Sequence, residues 1–187
     1  SIRETTGRRL HRFSWINEWK ELADANFYLG VALSLWRDLS GFAIGALAGV
    51  AVGTLIGASR LADRLIGPTF HTARQISLFA WLPLLSALLG TGDSAKVIFI
   101  AFSAFYPVVL GTLEGVRGVT AGHAEVAKVY GFTRSQLLFK LILPAASPQI
   151  LSGLRLGLIY AWLATIGAEF LLVNDGQGLG NIVFKGR

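Results

Sequence analysis

Between Leu39 and Ala58 the chain carries no charged side chain, and glycine returns at every fourth position: Gly41, Gly45, Gly49, Gly53 and Gly57. A run of about 20 apolar residues is long enough to cross a hydrocarbon core of about 30 Å as a helix. In water so many glycines would weaken a helix. In lipid the backbone has no other hydrogen-bond partner, so the helix persists. The five glycines fall on one side and leave a smooth stripe that lets a second backbone come close. Packing within one subunit is the preferred reading of that stripe; a seam between subunits is the alternative.

The rest of the chain agrees with a membrane setting. Only 15% of its 187 residues are charged, against roughly 25% in soluble domains, and the mean hydropathy is +0.56. The expectation is an all-α, polytopic membrane helix bundle. A polar arm at 1–27 precedes spans at about 28–58, 75–90, 97–116 and 147–173. Trp15, Trp19 and Phe27 give the arm one apolar face, fit for an interfacial helix or a solvated tail. Arg37-Asp38 interrupts the outer part of the first span, and Pro83 is expected to kink the short second one. Gly67 and Pro68 read as a helix break in a cytoplasmic turn, and Asp93 with Lys96 as a tight turn on the far side. Arg155 lies about two turns into the last span and can snorkel to its boundary.

Residues 117–145 form a long polar stretch between two of the most apolar regions. Within it lies Glu125–Pro144, E-V-A-K-V-Y-G-F-T-R-S-Q-L-L-F-K-L-I-L-P. Its cations Lys128, Arg134 and Lys140 place it on the cytoplasmic side. By parity 59–74 is also inside and 91–96 outside. Arg60, Arg64, Arg74 and Arg117 add to the inner charge, against Lys96 alone in the outer turn. The basic arm fits poorly outside, and its side stays open. Glu125–Tyr130 reads as one short helix ended at Gly131, and Gln136–Leu143 as a second stopped by Pro144. An amphipathic helix resting on the bilayer is the plainer alternative for this stretch.

Glu125, Ala127, Gly131 and the Ile142-Leu143-Pro144 ending resemble the coupling (EAA) loop of ABC-importer permease subunits, with Val126 in place of the first alanine. Leu-Pro-Ala-Ala-Ser-Pro-Gln-Ile-Leu-Ser-Gly-Leu-Arg-Leu-Gly, then Gly-Ala-Glu and Gly-Leu-Gly, looks like the nitrate, sulfonate and taurine branch of that family. The resemblance covers roughly residues 30–187. It implies a bundle of the ABC-importer permease type, in the cell's inner or plasma membrane, working as a homodimer. Two ABC ATPase subunits would hold ATP and Mg, and an extracytoplasmic substrate-binding protein would deliver the cargo. Tyr130 and Phe132 would flank the tip of the coupling elbow and Pro144 would end it. The branch implies a small oxyanion or organosulfonate such as taurine, alkanesulfonate or nitrate; relatives move other cargo, including vitamin precursors. The family usually has one more span before and one after these residues. The chain contains no Met, so the numbering is expected to begin inside a longer natural chain.

No catalytic residue and no metal site is expected. Cysteine is absent, and His11, His71 and His123 lack metal spacing. No G-x-x-x-x-G-K-[ST] is present, so ATP would be held by a partner and not by this chain. The G-x-G-x-G near the end follows no buried strand. The net charge of +6 sits at the ends of apolar segments, not in a stripe interleaved with aromatics, which argues against nucleic acid. A translocation path could use Trp81, Ser86, Phe105, Tyr106, Trp162 and Glu169, with Ser77, Ser103, Tyr160 and Thr165 as further candidates; ordinary packing is the alternative for each. Glu169 is ionisable near membrane depth, which marks a functional candidate or an interfacial carboxylate bonded to the Gly-rich tail. Two other functions stay open: a non-catalytic channel or scaffold with a partner-binding loop, and an intramembrane enzyme.

Overall fold

The computed structural model describes residues 20, 25–90 and 92–171. The amphipathic arm and the Gly-rich tail lie almost wholly outside the described residues. Six helices follow in order: α1 (Ala25–Ala58), α2 (Arg60–Gln75), α3 (Trp81–Leu89, entered through a 3-10 turn at Leu78–Ala80), α4 (Asp93–Tyr130), α5 (Arg134–Leu137) and α6 (Leu143–Leu171). A π-helical turn, Leu138–Ile142, joins α5 to α6. No strand occurs among the described residues. Among the described residues three stretches are long and apolar enough to cross a membrane: Phe27–Ala58, Asp93–Val119 and Arg134–Ala168. The pair α2 and α3, bent by 91° at its break, supplies a fourth if it counts as one span.

α4 is the axis, with α1 on one side and α6 on the other. The glycine stripe of α1 faces α4 of the same chain. A Cβ at Gly49 would lie 2.8 Å from Val108 Cγ1, one at Gly53 2.7 Å from the Val109 carbonyl, and one at Gly41 2.6 Å from Ile100 Cγ2. At Gly45 it would run into the Ala101 carbonyl oxygen. Real side-chain atoms essentially never come this near, so each position requires glycine for the observed approach. The α4–α6 seam repeats the device: a Cβ at Gly111 would stand 2.8 Å from Gly153 Cα, and one at Gly157 2.9 Å from Val108 Cγ2. Apolar clusters fill the remaining space. One joins Leu82 and Leu85 of α3 to Phe99, Ile100 and Ala104 of α4 and to Ala161, Ala164 and Ala168 of α6.

Several helix boundaries differ from the sequence expectation. Gly67 and Pro68 do not break the chain; α2 runs through them. Gly67 has no Cβ to meet the proline ring, which removes the usual clash ahead of proline. The real break is at Ile76 and Ser77, both extended. Pro83 therefore sits in the first turn of α3, where a missing N–H costs little, and does not kink a helix middle. Lys96 is not in an exposed turn but is fully buried on α4. The third span does not end at 116: α4 continues unbroken through Arg117 to Tyr130, so Glu125–Tyr130 is its last turns and not a separate helix. Pro144 does not stop a helix either. It follows the π turn and opens α6. A π turn is wider than an α turn, which gives the proline ring room against the carbonyl four residues back.

Gly53→Ala should lower stability by about 1–3 kcal/mol through overpacking. Gly118→Ala, with nothing within 4 Å of its would-be Cβ, should stay within about 1 kcal/mol of the parent or exceed it. Thermal unfolding of the detergent-purified protein distinguishes the two; equal melting would mean that α1 does not need its bare stripe.

Candidate functional site: elbow and groove

The elbow is built by three local devices. Gly131 ends α4 in the left-handed conformation, φ 66°, and the Ala127 carbonyl accepts from its N–H. Phe132 N–H donates to the same carbonyl at 3.3 Å. This pattern reverses the chain, and it favours glycine at the reversal. Thr133 then caps α5: its hydroxyl accepts from Gln136 N–H at 3.4 Å while its own N–H donates to Gln136 Oε1 at 3.2 Å. The π turn completes the return into α6.

Inside the elbow, Val116 and Val119 of α4 pack on Ile142 and Ala146, with Leu137 and Leu138 against them. Ala127 is buried. The outer surface has the opposite character. Glu125, Lys128, Arg134 and Lys140 are exposed, and so are Val126, Val129 (83%), Tyr130 (72%), Phe132 and Phe139. The Tyr130 and Phe132 rings stack at 6.1 Å across the tip. An apolar tip ringed by charges has the make-up of a protein-docking surface.

A second feature is a groove of about 440 Å³ along α4 and α6, closed at one side by the end of α2. Its polar lining is Arg74, Ser103, Tyr106, Glu114, Gln149, Ser152 and Tyr160. Of the principal path candidates whose side chains are described, only Tyr106 lines it, together with Ser103 and Tyr160 from the wider set. Trp81 stacks on Phe102 at 5.8 Å, and Phe105 packs edge-on to Phe70 at 6.3 Å. Ser86 donates to the Pro83 carbonyl at 3.1 Å. Trp162 is partly exposed on α6 away from the groove. Glu169 is in α6, but its side chain lies outside the described residues. Sequence reasoning passed over Arg74, Glu114, Gln149 and Ser152. The available signal was the spacing of Gln149, Ser152, Leu156 and Tyr160, which share one helical face.

A buried polar cluster was also missed. Arg37 and Asp38 do not interrupt α1 but serve its contacts inside the bundle. Arg37 Nη2 meets Asp93 Oδ1 at 2.7 Å, tying α1 to the start of α4. The Thr165 hydroxyl lies 2.9 Å from both Asp38 Oδ1 and the Ala161 carbonyl, tying α1 to α6. At the other end, Arg117 pairs with Asp63 at 2.6 Å on the surface, a contact of small energetic weight.

These features define a polytopic, all-helical membrane protein with a structured elbow between two of its spans. A family model described as "Binding-protein-dependent transport system inner membrane component" matches residues 41–186, and the chain belongs to that family. It is 34% identical over 161 residues to a bicarbonate transport system permease protein of Synechococcus elongatus, covering 86% of this chain and 58% of the relative. A putative aliphatic sulfonates transport permease protein of Bacillus subtilis is 37% identical over 155 residues, 83% of this chain and 55% of the relative. A nitrate import permease protein of Synechocystis is 34% identical over 161 residues, 86% and 58%. The chain thus spans a little over half the length of these relatives.

Thr165→Val removes the donor to buried Asp38 and should cost about 1–3 kcal/mol. Thr112→Val should be neutral or stabilising, because the buried Thr112 Oγ1 has no hydrogen-bond partner among the described residues. Detergent melting curves check the pair, and the reverse order would sink the assigned role of the α1–α6 hydrogen bond.

Proposed function

We propose that the chain is the membrane-spanning permease subunit of an ATP-binding-cassette importer. The observation that carries this is the elbow, in a chain of this family: an apolar tip held rigidly on the ends of two spanning helices. In this reading Glu125, Ala127, Tyr130, Gly131 and Phe132 shape or present the surface that seats in a separate ATPase subunit, and Pro144 sets the return into α6. ATP and Mg belong to that subunit. A second copy of the permease and an extracytoplasmic binding protein complete the machine, and the elbow faces the cytoplasm.

The mechanism follows from the packing. When two ATPase subunits close on ATP, they push paired elbows together. The π turn and the Val116–Ile142 cluster bind each elbow to α4 and α6, so displacement at the tip tilts both helices as a unit. That tilt changes which side the groove opens to. The groove, with Tyr106 in its wall, is the path; Trp81 and Phe105 support it from within the packed core. The relatives' names supply the cargo class: bicarbonate, nitrate and aliphatic sulfonates are all small oxyanions or carry an oxyanion head.

Gly131→Val should strain the left-handed turn by about 1–2 kcal/mol and, like Val129→Asp at the tip, reduce co-purification of the ATPase and ATP-dependent uptake. Glu125→Ala should weaken coupling while the helices stay folded by circular dichroism. Full uptake in all three variants would leave the chain as a channel or scaffold without ATPase coupling.

A further inference from the structure

Resting on the permease reading, we infer that the groove selects small oxyanions, with Arg74 as its charge-recognising group and Gln149, Ser152 and the Tyr106 and Tyr160 hydroxyls as neutral donors.

The first argument is placement. Residues 59–74, expected as a cytoplasmic turn, instead run back along α4 as a helix: Phe70, one turn before Arg74, packs against Tyr106 at 5.8 Å and Phe105 at 6.3 Å, which sets the end of α2 beside the middle of the α4 span. A guanidinium facing hydrocarbon there would cost about 2.5–3.5 kcal/mol or more. Glu114, Gln149 and Ser152 share the groove. Pro107, also in its wall, has no N–H to give the Ser103 carbonyl. A face with this lining belongs to water or protein, not lipid. The break at Ile76 and Ser77 agrees, since irregular backbone at membrane depth is tolerated where it lines a cavity.

The second argument is charge. Among the described residues Arg37 pairs with Asp93 and Arg117 with Asp63, whereas Arg74 enters no ion pair. Its planar fork matches the geometry of an oxyanion, and the neutral groups around it can complete the anion's hydrogen bonds. The third is release. At about 440 Å³ the groove is larger than one small anion, leaving room for several waters at about 30 Å³ each. Glu114 repels an anion from the same wall. One cation with a carboxylate nearby favours entry without firm retention, as transport requires.

The test uses the full-length transporter, with its ATPase and binding protein, in proteoliposomes. Uptake of nitrate, bicarbonate and methanesulfonate is measured at saturating binding protein, per assembled complex. Arg74→Gln should lower the maximal rate for the transported anion about tenfold or more, the loss of a charge-assisted contact. Arg74→Lys should recover part of it by restoring charge without the fork. Arg155→Gln, an exposed α6 arginine outside the groove, should transport like wild type. Wild-type rates in Arg74→Gln would overturn the inference. So would equal loss in the Gln and Lys variants. If Arg74→Gln fails to assemble, Gln149→Leu carries the test: a lowered rate supports the groove, and an unchanged rate overturns it. A wild-type complex that holds its ATPase but moves none of the three anions also overturns the anion assignment. One that neither holds an ATPase nor moves any anion removes the permease reading itself.

Discussion

Close backbone contact along α4 is the constraint on which the rest of the structure depends. Apolar side chains cannot drive helices together in lipid, because lipid tails solvate them equally well. Dispersion and shape must do it, and both fall steeply with distance. α4 meets this on two sides at once. Gly41, Gly45, Gly49 and Gly53 let it approach α1, and Gly111 opposite Gly153 lets it approach α6. Three helices then behave as one block, while α2 and α3 wrap the block through aromatic and leucine contacts.

Polar groups add register to that proximity. Arg37 with Asp93 and Asp38 with Thr165 join α1 to both neighbours at one end of the block. A charge buried in a bundle is costly unless it finds partners, and once partnered it disfavours sliding by even one turn. Glycine stripes alone repeat every four residues and would tolerate such a slide. These polar contacts occur once and do not. Smooth stripes supply attraction; the ion pair and the hydrogen bond select one alignment.

The helical class, the glycine stripe and the left-handed turn at Gly131 were legible because each is a strong local signal. An uncharged run, a period of four and a glycine closing an amphipathic segment need no tertiary information. The departures from the sequence expectation have a common cause. Gly67-Pro68, Pro83 and Pro144 read as breakers by residue type, yet each proline is accommodated: after a glycine that relieves the clash ahead of the ring, in a first turn where the missing N–H costs little, or beyond a π turn that makes room for the ring. Arg37 and Asp38 read as an interruption of the first span and Lys96 as part of an outer turn, although Arg37 and Asp38 find partners on other spans and Lys96 is buried on α4. The Thr133–Gln136 capping box was readable, because Thr-x-x-Gln is its usual sequence form. The groove was not, because Arg74, Tyr106 and Gln149 line one cavity only after three helices have packed.

The largest departure from the sequence expectation is where α4 ends. A span finishing at 116, followed by a loop with a separate short helix, would not move as one rod. Instead α4 runs 38 residues without interruption, about 57 Å at 1.5 Å per residue, against a hydrocarbon core of about 30 Å. Much of the rod therefore stands beyond the apolar core and carries the Ala127–Gly131 reversal at its tip. A helix is stiff over such a length, so a small displacement at the tip becomes a tilt along the whole rod. Because α6 is clasped to it by bare backbone, α6 must follow. Glycines that look like points of weakness in the sequence are thus what make the rod rigid, since they allow a neighbouring helix to brace it at the closest distance backbones permit.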